Sequence, residues 1–406
     1  MAWRNVWRNP RRSLLTMAAI AFACMLLVFM LSMQFGSYAQ MINAAVRVRT
    51  GHLQVEAKGY EQEPEMRLVI PRPPEVTRLL EGRPEVAAFT PRANAFSLAS
   101  AGNRTFGVLV GGIDPAGEAR VSTLPSLIRQ GRYLTDQDQD GAILGAILAR
   151  NLQVGLGDEV TLLGQGRDGS VAATVVKVRG IYRTGLDEYD RSSLQITLAN
   201  FDQVYFMRGA VHQIVVLCPS LGDVNPLAAF LRPRLAQLGG DPGLVALTWR
   251  QLLPGLMQSI EMDLVSGSIF YALLIIVVTF SILNTFLMAV LERTREFGVL
   301  MALGTGPGRL TRLLLLESTA LSGLGLLTGT ALGCLITWYF QVHGINMEGA
   351  AQVMEQYGLG SRMYPQLSLL TAAVGPAAVA VITFLAALYP ALKVRSLRPV
   401  EALASY

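Results

Sequence analysis

Charge is scarce in this chain of 406 residues: Asp, Glu, Lys and Arg make up 16% of it, against about 25% in soluble domains. With 51% hydrophobic residues and a mean hydropathy of +0.40, the deficit excludes a chain solvated only by water. Lysine is nearly missing, since only Lys58, Lys177 and Lys393 stand among 34 basic residues. Three cysteines (Cys24, Cys218 and Cys334) are too few and too scattered for a disulfide framework, and read as packed, unpaired thiols. His52, His212 and His343 have no His or Cys at ligand spacing, which argues against a metal site. No G-x-x-x-x-G-K-[ST] occurs, nor any Gly-Lys pair, so the chain does not cradle nucleotide phosphates by that device. G-x-S-x-G and H-E-x-x-H are also missing, and no catalytic residue is assigned. The net charge of +5 does not imply nucleic acid, because the arginines cluster beside apolar runs, where membrane topology explains them.

Long apolar runs are what the chain does have. A bilayer core takes about 20 apolar residues in a helix. Four runs qualify: Leu14 to Met33, Ile269 to Leu291, about Leu313 to Phe340, and about Leu367 to Leu392. The first follows Arg4, Arg8, Arg11 and Arg12 and resembles a secretory signal, with Ser37 and Ala39 as a small-residue site. Its apolar core is too long for that, so it reads as an uncleaved anchor. Lipoprotein-type processing at Cys24 is a poorer reading, because Phe22 stands where a small residue belongs.

Arginine and lysine near the runs set the orientation. Four arginines lie in residues 1–13, then Arg293, Arg295, Arg309 and Arg312 between runs two and three, and Lys393, Arg395 and Arg398 after run four. The connection between runs three and four has only Arg362, against Glu348 and Glu355. Both termini and the middle connection are therefore expected in the cytoplasm. The fold class follows: a membrane protein with four transmembrane α-helices and a large α+β extracytoplasmic domain inserted between helices 1 and 2. The expected division is 1–36 (flank and helix 1), 37–266 (outside domain with stalk) and 267–406 (helices 2–4).

The outside stretch interleaves strand-like and helix-like runs. Strands are expected at 52–56, 105–113, 141–145, 159–163, 171–181, 193–197 and 212–217, and helices at 74–80, 146–152, 201–207 and 225–238. Two subdomains are expected, a strand-rich one at about 114–200 inserted into the other. Trp249 to Val265 is helical in pattern and runs into the second apolar stretch, as a continuous stalk or a simple connector. Asp136, Asp138 and Asp140 before Gly141 resemble a calcium loop, but Ile147 stands where the bidentate Glu belongs, so a solvated turn is the better reading.

Two features in the membrane part stand out. Glu317 is the one acid near a run, a possible intramembrane acid or an interfacial partner for an arginine. Gly325, Gly329 and Gly333, four apart, line one helix face with small residues and suit close helix packing, within or between subunits. The segment Glu292-Arg-Thr-Arg-Glu-Phe-Gly-Val-Leu-Met-Ala-Leu-Gly304 is charged, then apolar, then ended by glycine. It reads as a short amphipathic helix at about 292–304, either lying on the bilayer or docking into a cytoplasmic partner.

That segment resembles the coupling segment of the FtsX/MacB/LolC-type ABC transporter permeases, the type VII superfamily. Arg4-Asn-Val-Trp-Arg-Asn-Pro-Arg-Arg-Ser13, Leu388-Tyr-Pro-Ala-Leu-Lys393 and Arg398-Pro-Val-Glu-Ala-Leu403 are similar to the same permeases. The outside stretch is most similar to the lipoprotein-releasing branch, LolC and LolE, at Gly51-His-Leu-Gln-Val55, Gly112-Ile-Asp-Pro115, Gly141-Ala-Ile-Leu-Gly145, Val154-Gly-Leu-Gly-Asp158 and Gly185-Leu-Asp-Glu-Tyr-Asp190. One departure is the place of the LolC hairpin loop that hooks a periplasmic chaperone: here only the short turn Gly164-Gln-Gly-Arg-Asp-Gly-Ser170 stands there.

The resemblance implies a bacterial inner-membrane permease subunit, not an enzyme, with a periplasmic domain. It implies two copies of a separate ABC ATPase that hold ATP and Mg, a second permease copy or a related permease, and a periplasmic chaperone or adaptor. The chain itself binds no cofactor, and its other partner is the lipid membrane. Glu292, Arg293, Arg295, Glu296, Phe297, Gly298, Leu300 and Gly304 form the ATPase-coupling segment, with Phe297 as an apolar knob, and motion passes into spans one and two. Three functions fit: extraction of lipoproteins or lipidic cargo from the outer leaflet, efflux through a periplasmic adaptor as in MacB, or FtsX-like signalling to cell-wall hydrolases.

Overall fold

The structure is a computed structural model and describes residues 10–238, 240, 243–347, 349 and 362–394. Arg4, Arg8, Arg395, Arg398, Glu348 and Glu355 lie outside the described residues, as do most of the terminal motifs. The chain divides into two units, one of residues 1–40, 259–347 and 362–406, the other centred on Met41–Gln258.

In the helical unit the long elements are α1 (Pro10–Ala45), α2 (Pro254–Glu292), α3 (Thr294–Ala302), α4 (Pro307–His343) and α5 (Leu369–Lys393). Four of these are long and apolar enough to cross a membrane. The 36 residues of α1 span about 54 Å at 1.5 Å per residue, well beyond the roughly 30 Å of a hydrocarbon core. Both α1 and α2 therefore run past their apolar stretches. The expected helix from Trp249 is interrupted: Trp249–Leu252 forms one turn, Leu253 leaves helical geometry, and α2 begins at Pro254. Proline fits there because a first-turn residue needs no intrahelical N–H partner.

The glycine stripe of α4 packs within the chain. A Cβ on Gly329 would lie 2.3 Å from the Ala21 carbonyl oxygen and 2.6 Å from its Cα. Gly325 faces Ile20 and the Met17 carbonyl, and Gly333 faces Met25 and Val28. The contacts climb both helices together, so α1 and α4 run parallel. Phe29 and Phe340 extend the seam with rings edge to face at 5.9 Å. From α5, Gly375 meets Leu27.

The second unit holds one ten-stranded sheet. Its strands are β1 (Leu53–Ala57), β2 (Ala88–Ala101), β3 (Arg104–Ile113), β4 (Ile128–Gly131), β5 (Gly141–Gly145), β6 (Glu159–Gln165), β7 (Val171–Tyr182), β8 (Ser193–Thr197), β9 (Gln213–Leu217) and β10 (Leu244–Thr248). Because β6 pairs with both β2 and β7, the path β2-β3-β8-β5-β7-β6-β2 closes into a six-stranded barrel. Its alternate residues share one core with Leu148, Leu152, Phe201 and Tyr205 from the intervening helices. The β2 contributions are small (Ala93, Ala95 and Ala99), as a narrow barrel requires. The remaining lobe is the open run β10-β1-β9-β2. Gly51 takes φ +65 at the corner into β1, and a side chain there would strike Val215.

The expected inserted subdomain at about 114–200 is thus drawn too short, since β2 and β3 complete the barrel. Its strands share a sheet with the rest, so the two lobes form one compact unit. The β6–β7 connection is a tight turn, with Gly166 N bonded to Ser170 O at 2.8 Å. In the acidic turn Asp136 and Asp140 are exposed, as expected of a solvated turn, but the middle acid is a lock. Asp138 is buried and accepts two bonds of 2.7 Å from Arg132 plus the Thr135 N–H and hydroxyl. Cys24 and Cys218 are buried and Cys334 half-buried, all as free thiols.

Glu56 on β1 is fully buried, and burial pushes its carboxyl up to about 7, with Glu61 nearby adding to the rise. A carboxyl raised above its ordinary value of 4.5 is protonated longer in the fold than in the unfolded chain. Stability is then lost as pH rises from about 4.5 to about 7, and Glu56→Gln should flatten that fall in urea melts across the range. Gly329→Ala should destabilise by roughly 1–3 kcal/mol from overpacking. Gly323→Ala, where a Cβ meets nothing within 4 Å, should be neutral or gain up to about 1 kcal/mol. Thermal unfolding in detergent compares them.

Candidate functional site

Local sequence defines the segment 292–304, the expected coupling segment. Arg293 leaves helical geometry (φ −104, ψ 11) and separates α2 from α3. Gly304, at φ +91, ends the segment in a conformation that side chains disfavour. Pro307 then opens α4 in its first turn.

Packing splits the predicted residues into an inner and an outer set. Phe297 is 1% exposed and sits among Val290, Leu310, Leu314, Ala391 and Val394. Gly298 is buried beside it. The expected outward knob is therefore an inward anchor, because Phe297 and Met301, four apart, share the face turned to α2, α4 and α5. No described residue of α1 belongs to this apolar cluster. The outer set is Glu292, Arg295, Val299, Leu300, Leu303 and Gly304, with Leu303 77% exposed. Val299 was missed as a surface candidate, although it lies four residues before Leu303, on the same helix face.

The charges are arranged in the same way. Arg293 Nη1 donates to both carboxylate oxygens of Glu317 at 3.2 Å, and Arg293 Nε donates to Glu296 at 3.3 Å. Glu317 is thus the partner of an arginine, and the guanidinium also lies 5.6 Å from the Phe297 ring centre. Thr311 Oγ1 donates to the Ala391 carbonyl at 3.2 Å, which joins the start of α4 to the end of α5. Together with the parallel seam of α1 and α4, this puts the start of α1, the α3 segment and the end of α5 at one end of the helical unit. Among the described residues no group of His, Cys, Asp and Glu could hold a metal ion.

Residues 13–233 match the MacB-like periplasmic core domain family, and residues 268–399 the FtsX-like permease C-terminal family. The chain belongs to the FtsX/MacB/LolC-type ABC transporter permeases. This permease is 24% identical over 343 residues to the "Lipoprotein-releasing system transmembrane protein LolC" of Xylella fastidiosa, covering 79% of this chain and 78% of that one. It is 23% identical over 340 residues to the corresponding LolE of Haemophilus influenzae, covering 80% and 79%. It is 26% identical over 412 residues to the "Pyoverdine export ATP-binding/permease protein PvdT" of Pseudomonas syringae, covering all of this chain and 58% of that one.

Breaking the half-buried pair from one side leaves a charge without its partner. Glu317→Ala should cost roughly 1–3 kcal/mol, and adding Arg293→Ala should cost less than the sum of the two single changes. A thermal-unfolding double-mutant cycle in detergent measures the coupling.

Proposed function

We propose that this permease transmits ATP hydrolysis on separate ATPase subunits to release of lipoproteins, or other lipidic cargo, from the outer leaflet of the inner membrane. The observation that carries the proposal is the two-sided α3 segment. Its inner face is bound into α2, α4 and α5, and its outer face offers Arg295, Val299, Leu300 and Leu303. Such a helix is built to be pushed from outside, and three membrane helices move with it. The similarity to LolC and LolE supports the cargo class. Two copies of the ATPase, holding ATP and Mg, would pair with two permease subunits, and a periplasmic chaperone or adaptor would receive the cargo. The arginine-rich ends belong in the cytoplasm and the sheet unit in the periplasm. The similarity to 58% of PvdT, along the whole of this chain, favours a second reading, export of a small molecule.

The deciding experiment is gentle purification of the tagged permease. An ATPase together with lipoproteins or a sister permease supports release; an ATPase with an adaptor and an outer-membrane channel favours export. Loss of any ATPase would overturn both. In the complex, Arg295→Glu with Leu300→Asp should abolish ATPase binding or cargo-linked hydrolysis and leave the unfolding temperature unchanged. Normal coupling in that variant would sink the docking role of α3.

A further inference from the structure

Where the charge-free run of α1 ends, side chains of α1 and α2 form a connected polar cluster. Tyr38 Oη donates to Asp263 Oδ2 at 2.5 Å. Gln34 Nε2 lies 3.3 Å from the same oxygen and 2.8 Å from Tyr38 Oη. The other end of that amide, Gln34 Oε1, accepts from Tyr271 Oη at 2.8 Å. Gly267 makes room for the arrangement, since a Cβ there would lie 2.6 Å from Gln34 Nε2. The pairs 38 with 263 and 34 with 271 run in opposite directions, so α1 and α2 are antiparallel here.

The geometry is that of a two-point fastening. Gln34 and Tyr38 are four apart and share one face of α1. Asp263 and Tyr271 are eight apart, two turns along one face of α2. Bonds at both levels fix the axial register of the helices as well as their rotation.

We infer that Asp263, held by Tyr38 and Gln34, is a positioning residue that makes α1 and α2 move as one body. The inference rests on the reading of this chain as a transmitter of motion from an ATPase. The α3 segment reaches α2 and α4 directly, and α4 reaches α1 through its glycines. The Asp263 cluster closes this circuit by tying α1 back to α2. A push on α3 then shifts the two long helices together.

Two measurements on the full chain in lipid nanodiscs test the inference. Nitroxide labels at Met30 and Ile269, both exposed, with the native cysteines replaced by alanine, report the spacing of α1 and α2. A single narrow distance is expected for the parent chain and for Asp263→Asn, which keeps an oxygen for Tyr38. Broadening is expected for Asp263→Ala and Tyr38→Phe. In the complex with its ATPase, those two variants should retain hydrolysis and release about tenfold less cargo per ATP, with Asp263→Asn close to the parent. Unchanged distances in both Asp263→Ala and Tyr38→Phe would overturn the inference. So would a parallel fall of hydrolysis and release, which marks a merely structural role. The distance measurement needs no ATPase, so it decides the fastening even if the transport reading fails.

Discussion

Close approach of α4 to α1 is the constraint on which the helical unit depends. Lipid gives two apolar helices no hydrophobic reason to associate, so packing must come from contact itself. Gly325, Gly329 and Gly333 bring the α4 backbone against Met17, Ile20, Ala21 and Met25, and Gly375 brings α5 against Leu27. Helix α1 is gripped from two sides at positions where α4 and α5 carry only glycine. That grip gives α3 a mechanical path to α1 through α4.

The inward turn of Phe297 changes what the coupling segment can be. A knob that projects to a partner can be replaced by any apolar residue of similar size. A phenylalanine that holds α3 to three helices must also suit Val290, Leu314 and Ala391. The outer residues stay exposed, Arg295 as a charge and Leu300 and Leu303 as apolar surface. The ion pair of Arg293 with Glu317 keeps its charge in the joint between α2 and α4.

The membrane helices were legible in the sequence because a run of twenty apolar residues has few other uses. Most strands were legible too: the expected 193–197 matches β8, and 141–145 matches β5. The longest strand, β2, was not. Its inward residues are Ala93, Ala95, Ser97 and Ala99, and Pro91 interrupts its start. The large apolar residues Phe96 and Leu98 face outward and are exposed, so the hydrophobic contrast runs opposite to that of a half-buried strand, while the inner face of the narrow barrel takes only small side chains here. Barrel closure was equally hidden, because it depends on β6 pairing across to β2, which no local pattern encodes. At the coupling segment the chemistry was legible and the orientation was not. Spacing named Phe297, Leu300, Met301 and Leu303 as apolar without saying which of two apolar faces would be covered.

One strand does double duty in the sheet unit. Residues 88–92 of β2 pair with β9 in the open lobe, and residues 92–101 pair with β3 in the barrel. Neither lobe has a complete set of backbone partners without the other. Hydrogen exchange along β2 would accordingly report a single opening event for both lobes. Recombination between related permeases must move the lobes as an indivisible block, because no cut in the chain separates them.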